Sequence, residues 1–177
     1  ALDGTYHLPW VYLHAIKDYS DMAHHLETCP EARVVVNFAP VLLEQLSDYG
    51  SQMRAWLKDG SKTYDPLLNL VAGATPVSAS TDERADIIAA CQRAFAPTMI
   101  EAYPAFRTLT NIAEGLYVNG DLDVVRVNYL SSQFFTDLLV WYHLAWLGSS
   151  IKKNDFRVSR LMARKNNFTP VDQTLLM

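Results

Sequence analysis

Apolar residues recur at helical spacing along most of this chain, and in one place they run together without a break. Tyr12, Ile16, Tyr19, Ala23 and Leu26 fall at i, i+4, i+7, i+11 and i+14, the apolar stripe of an amphipathic helix. Pro9 or Trp10 opens this helix, because proline suits a first turn where its missing N–H is no loss. Cys29-Pro30 closes it, because the residue before proline avoids the α region. The opposite face carries His14, Lys17, Asp18, Asp21, His24 and His25. The unbroken run is Arg33-Val34-Val35-Val36-Asn37-Phe38. Consecutive β-branched residues without alternation predict a strand covered on both faces. Pro40 then starts a second long helix through Leu42, Leu43 and Leu46 to Leu57.

Beyond Leu57 the pattern stays helical. Asp65-Pro66 pairs an N-cap with a first-turn proline and opens a short helix over residues 67–71. Residues 73–80 are small and polar, a loop. Ser80 and Glu83 have capping-box spacing, ahead of a helix carrying Ile87, Ile88, Cys91 and Phe95 and broken at Pro97. Tyr103-Pro104 starts another through Phe106, Leu109, Ile112 and Leu116. Asn119-Gly120-Asp121 is a turn, and residues 124–130 fit either strand or helix, with helix preferred. Residues 131–147 are apolar nearly all round, the mark of a buried helix, and Gly148-Ser149-Ser150 ends it. Residues 154–165 are amphipathic, and Thr169-Pro170-Val171-Asp172 signals a last helix start. The sum is mainly α with one clear β-strand. A stable parallel sheet needs several strands. The neighbours of residues 33–38 are therefore expected from outside this sequence or from segments with a helical reading.

Composition narrows the function classes. The 177 residues fit one domain, and half of them are hydrophobic, which excludes a disordered tail. A net charge of −4 leaves no electrostatic footprint for nucleic acid. The densest basic cluster, Arg157, Arg160, Arg164 and Lys165, sits in a helical pattern and reads as a solvated face. Cys29 and Cys91 form no C-x-x-C pair and read as reduced thiols of a cytoplasmic protein. No signal-peptide pattern opens the chain. The most apolar run, residues 138–147, is too short for a bilayer, which takes about 20 residues of helix. Ala1 at one end and Leu175-Leu176-Met177 at the other read as cuts inside a larger protein.

Four separated matches, the first made of two runs, resemble glycoside hydrolase family 57, the α-amylase and 4-α-glucanotransferase-like enzymes. Residues 8–19 and 36–46 are similar to a stretch near the start of the family. Residues 97–107, with Ile100 ahead of Tyr103-Pro104 and Phe106, resemble its helical insertion. Residues 137–146 are similar to its DL-x-VW-x-x-LAW run, and residues 167–172 to the NFT-x-x-D helix start that follows. The runs keep the family's order, cover most of the chain and are weakest over residues 60–93. The resemblance implies a (β/α)7 barrel, with residues 1–58 a helix–strand–helix piece of it and residues 59–177 its helical insertion. It also implies retaining hydrolysis or transfer at α-glucosidic bonds, which needs two carboxyl groups about 5–5.5 Å apart. In the family the nucleophile is a glutamate on a later strand and the acid an aspartate further on. Neither segment has a counterpart here, nor does the family's early His-Gln-Pro. The expectation is therefore part of a glycosidase, inactive by itself. It has no catalytic residue, no metal and no cofactor of its own, and an α-glucan or oligosaccharide is the partner of the whole enzyme.

Four residues stand out as candidates for contact with that substrate: Asn37, Trp10, His14 and Asp18. Asn37 ends the expected strand, and groups at the carboxyl ends of barrel strands line active sites. It reads equally as a turn asparagine. Trp10 precedes the first helix, where its ring could stack on a sugar face or pack in the core. His14 and Asp18, with Lys17, fall inside the family-like run and either orient the preceding loop or pack structurally. His14, Asp18, Asp21 and His25 share one helix line, but it spans about 16 Å at 1.5 Å per residue, too far for one ion. A solvated face with i, i+4 pairing is the simpler reading, and a deacetylase-like metal hydrolase rests on this stripe alone. Trp141, Tyr142, Trp146 and His143 read as core, with His143 a satisfied core histidine, and Cys91 as an inert buried thiol. No P-loop, G-x-S-x-G or G-x-G-x-x-G is present. The competing expectation is a stand-alone helical module that binds a protein or glycan without catalysis. In either case the uncovered edge of residues 33–38 is open to self-association.

Overall fold

The computed structural model describes residues 4–177. Its first helical run has three parts: α1 (Trp10–His14), a π-helical turn (Ala15–Tyr19) and α2 (Ser20–Thr28). The π turn is invisible to hydrophobic spacing. It coincides with outside partners for its backbone: Gly148 donates its N–H to Ile16 O at 2.9 Å, and Ser20 Oγ donates to Ala15 O at 2.7 Å. Tyr12 and Leu13 are buried, but Ala23 is exposed and α2 buries no residue fully. The expected stripe is thus core only at its start.

Residues 32–39 overturn the one strand expected from sequence. They form neither helix nor ladder, and no backbone hydrogen bond ties residues 33–38 to another described residue. Val35 is 100% exposed and Val34 58%. A strand exists only through its partner's hydrogen bonds. The described strands are β1 (Tyr117–Val118) and β2 (Asp121–Leu122), which pair with each other, antiparallel, Tyr117 opposite Leu122. Asn119 and Gly120 between them take positive φ (54° and 92°), as a tight two-residue hairpin turn requires.

The remaining helices follow their start signals, with exceptions at two ends. α3 (Pro40–Asp59) stops on Gly60 in the left-handed region. α4 (Pro66–Val71) is capped by Asp65, whose Oδ1 accepts from Leu68 N at 3.0 Å. α5 (Thr81–Cys91) has Ser80 at its N-cap, but the side chain makes no capping bond, so the expected capping box does not form. Phe95 lies beyond the helix and is 63% exposed. A second π-helical turn (Ala96–Ile100) leads into α6 (Pro104–Glu114). After the hairpin come α7 (Val124–Asn128), α8 (Ser132–Trp146), α9 (Ser149–Asn154), α10 (Phe156–Arg164) and α11 (Pro170–Thr174). Thr169 and Asp172 form a complete capping box on α11.

α8 is the axis of the molecule. Phe135, Leu138, Leu139, Val140 and Leu144 are fully buried, and α4, α5 and α6 pack against it. Each such side chain contributes about 1.5–3 kcal/mol by leaving water. Trp141, Tyr142, Trp146 and His143 are core, as expected. His143 is not satisfied, however. Burial lowers its pKa to about 4, so the ring is neutral, and its Nδ1 finds no hydrogen-bond partner among the described residues. The Tyr12 ring stacks on it at 6.0 Å, and the Tyr12 hydroxyl is equally unpartnered. The basic residues of α10 do form a solvated face: Arg157 pairs with Asp155 and Arg164 with Asp172 at 2.8 Å, and Arg160 is exposed. Cys29 is exposed and Cys91 buried, both as free thiols, and burial raises the Cys91 thiol well above its ordinary value. Among the described residues no helix is long and apolar enough to cross a membrane.

Asp21 does not belong to a solvated face. It caps α9 from α2, accepting from Ser149 N (2.7 Å), Ser150 N (2.9 Å) and Ser150 Oγ (2.6 Å). Burial alone would raise its pKa, but these bonds outweigh it and bring the carboxyl to about 2. A folded-state pKa below the unfolded value stabilises the fold above the unfolded pKa, and that contribution fades as pH falls through the folded one. The Ser149 and Ser150 amide resonances should therefore titrate together with a midpoint near pH 2, read by NMR. A midpoint at the ordinary carboxyl value of 3.8 would show that the cap is not formed.

Candidate functional site

The end of α1 and the π turn bring three of the four sequence candidates together. His14 Nδ1 bonds Asp18 Oδ2, and Lys17 Nζ donates to Asp18 Oδ1 at 2.6 Å. Burial works to raise the Asp18 carboxyl, but the bonds from Lys17 and His14 and their charges hold it below its ordinary value. A carboxylate on Nδ1 places a proton on that nitrogen and fixes the ring's orientation. The Trp10 ring lies 5.9 Å from Trp146, and His14 meets Trp146 edge-on at 5.6 Å. Trp10, His14 and Asp18 therefore form one aromatic and polar strip, half-buried, with Trp146 as its backing. Asn37 is not part of it. It is exposed within residues 32–39 and makes no hydrogen bond to another described residue, so the strand-end position expected for it is absent. No group of three or more His, Cys, Asp or Glu converges as metal ligands among the described residues.

A second feature was not foreseen from sequence. Residues 5–9, α4 and α5 enclose a cleft of about 590 Å³, within the range of small-ligand sites. Leu67, Leu70 and Ile87 supply an apolar floor, and Glu83, Asp86 and Arg93 stand exposed at the rim. The Tyr6 wall is fixed from behind. Its ring stacks on Tyr49 at 4.4 Å, its N–H donates to Tyr64 O at 2.9 Å, and its hydroxyl donates to Asp48 at 2.7 Å. Burial and the Asp48 bond raise the Tyr6 hydroxyl to about 12. Asp65 lies 1% exposed in the same wall, accepting from the Tyr49 hydroxyl at 2.7 Å, and burial raises its carboxyl. Sequence showed Asp65 only as an N-cap. The one available signal was Glu83, Asp86, Ala90 and Arg93 at helical spacing, which any solvated helix face also shows.

The fold and these two features define a helical protein built round a buried α8, with an aromatic–polar strip and, separately, a mixed cleft. No protein-family model, curated protein or solved structure matches the chain.

Proposed function

We propose that the chain is part of a retaining α-glucan-active glycoside hydrolase or glucanotransferase of the family 57 type. In this reading the protein is cytoplasmic, its barrel strands lie outside this chain, and the 177 residues are inactive alone. Residues 32–39 carry the proposal. An apolar, β-branched segment stands unpaired and exposed between α2 and α3, with Val35 at 100% exposure. A helix–strand–helix unit has this form when the rest of its sheet is contributed from elsewhere. The clustering of Trp10, His14 and Asp18 at the start of the same unit is in keeping with a substrate-facing strip.

Val35→Asp tests it. In the 177 residues alone the substitution should leave stability within about 0.5 kcal/mol, since an exposed side chain loses no contact. In the whole enzyme it should abolish reducing-sugar release from soluble starch, because it would place a charge inside a sheet. Equal starch activity in the substituted whole enzyme, or starch hydrolysis by the 177 residues alone, would overturn the reading.

One observation favours a binding module without catalysis as the second reading. A single hydrophobic core runs from Tyr12 to Phe168 and closes without any contribution from residues 32–39. For such a module the substituted and native chains should both be monodisperse by light scattering, whereas an unpaired strand edge should drive the native chain to self-associate.

A further inference from the structure

We propose that the cleft between residues 5–9, α4 and α5 is a saccharide subsite that takes a pyranose ring; the choice of an α-glucan as its source rests on the function proposed above. A pyranose is amphipathic. Its C–H groups form apolar patches, and its hydroxyls lie in neighbouring pairs round the edge. The cleft has the complementary division. Leu67, Leu70 and Ile87 offer an apolar floor, and Glu83, Asp86 and Arg93 offer planar, two-pronged hydrogen-bonding groups at the rim. Carboxylates and guanidinium are the side chains whose paired atoms match adjacent hydroxyls.

Three further observations point the same way. The side chains of Glu83, Asp86 and Arg93 make no hydrogen bond or ion pair to another described residue, so their bonding capacity is open to whatever enters. The opposite wall is rigid before any ligand arrives, because Tyr6 is held by Tyr49, Asp48 and Tyr64 at once. Preorganisation of this kind lowers the entropy lost on binding. The acidic excess of the lining disfavours an anionic ligand. Two rim carboxylates and the buried Asp65 would repel a phosphate, and no ligand set for a metal cation converges there among the described residues. Pro9 also lines the cleft, and the next residue in sequence, Trp10, belongs to the strip that carries His14 and Asp18.

The test is an NMR titration of the 177-residue protein with maltotriose and, separately, cellotriose. Maltotriose should move the amide resonances of Leu70, Thr75, Ile87 and Ala90 in a saturable way, with a Kd on the order of 1 mM. Asp86→Ala and Arg93→Ala should each weaken binding about tenfold with the thermal midpoint unchanged, since both side chains are exposed and carry no packing. Cellotriose binding at the same resonances in place of maltotriose would keep the subsite and overturn the α-glucan reading. No saturable shift with either sugar would overturn the subsite, and so would shifts confined to Trp10 and Trp146 that neither variant alters. Starch activity of the whole enzyme in that event would leave the enzyme reading standing without the subsite.

Discussion

Asp137→Ala is expected to destabilise the protein by about 3 kcal/mol or more, from the loss of several charge-assisted bonds worth about 1.5–3 kcal/mol each. Asp137 is 5% exposed on α8 and accepts from Phe168 N at 2.9 Å, Asn167 N at 3.0 Å and Gln133 Nε2 at 2.8 Å. The turn it holds is not a relaxed one. Lys165 sits at φ 70° and ψ −43°, a γ-turn closed by Asn166 N on Arg164 O at 2.9 Å, and Asn167 takes φ 56°. The γ-turn at Lys165 is rare and strained for an L-residue, while the left-handed φ of Asn167 is one that asparagine tolerates. Trp141 supplies the other constraint, donating Nε1–H to Lys165 O at 2.6 Å. Without the carboxylate, two backbone N–H groups lose their acceptor beside a packed core, and the turn is free to relax. Urea denaturation should show a lower midpoint at unchanged slope. Asp137→Asn, which keeps one acceptor oxygen but turns an amide N–H toward the donors, should fall between. A change of less than about 1 kcal/mol for the alanine variant would mean that the turn is held by Trp141 alone.

The same contact shows how much of the molecule was legible beforehand. The runs 137–146 and 167–172 stand apart in sequence as two family-like motifs; in the structure they are the two halves of one lock, Asp137 to Asn167 and Phe168. Helix starts were legible because their causes are local: Pro40, Asp65-Pro66 and Thr169-Pro170 act on their own next turn. The pairing of His14 with Asp18 was legible because one helix places residues four apart on one side, whereas Trp10, expected ahead of the helix, lies in its first turn. Features that depend on a distant partner were not. The π turn at Ala15–Tyr19 is met by the N–H of Gly148, Asp21 by Ser149 and Ser150, and the cleft by three segments that no spacing links. Residues 33–38 failed for the converse reason. Their β propensity is real, but propensity does not supply a ladder partner.

Gly148→Ala should cost about 2 kcal/mol, in the range of overpacking at a tight contact. Backbone strain is not the cause, because Gly148 has φ −60° and ψ 153°, open to any residue. The cause is the space its Cβ would need: 2.5 Å from Asp21 Oδ1, 3.0 Å from Asp21 Cγ and 3.1 Å from Lys17 O. Asp21 cannot swing aside without releasing the N-terminus of α9, and Lys17 O is backbone of the π turn. A double-mutant cycle with Asp21→Ala separates the two obstacles. Asp21→Ala loses the cap, about 0.5–2 kcal/mol, but removes the nearest atoms in the way. If the carboxylate is the main obstacle, the double variant should be more stable than the sum of the single losses by about 1 kcal/mol. Additivity within about 0.3 kcal/mol would assign the clash to the Lys17 carbonyl instead. That carbonyl belongs to the turn that carries Asp18 toward His14, so Gly148→Ala should also shift the His14 ring resonances. A substitution on the far side of the α8–α9 junction would then report directly on the geometry of the strip.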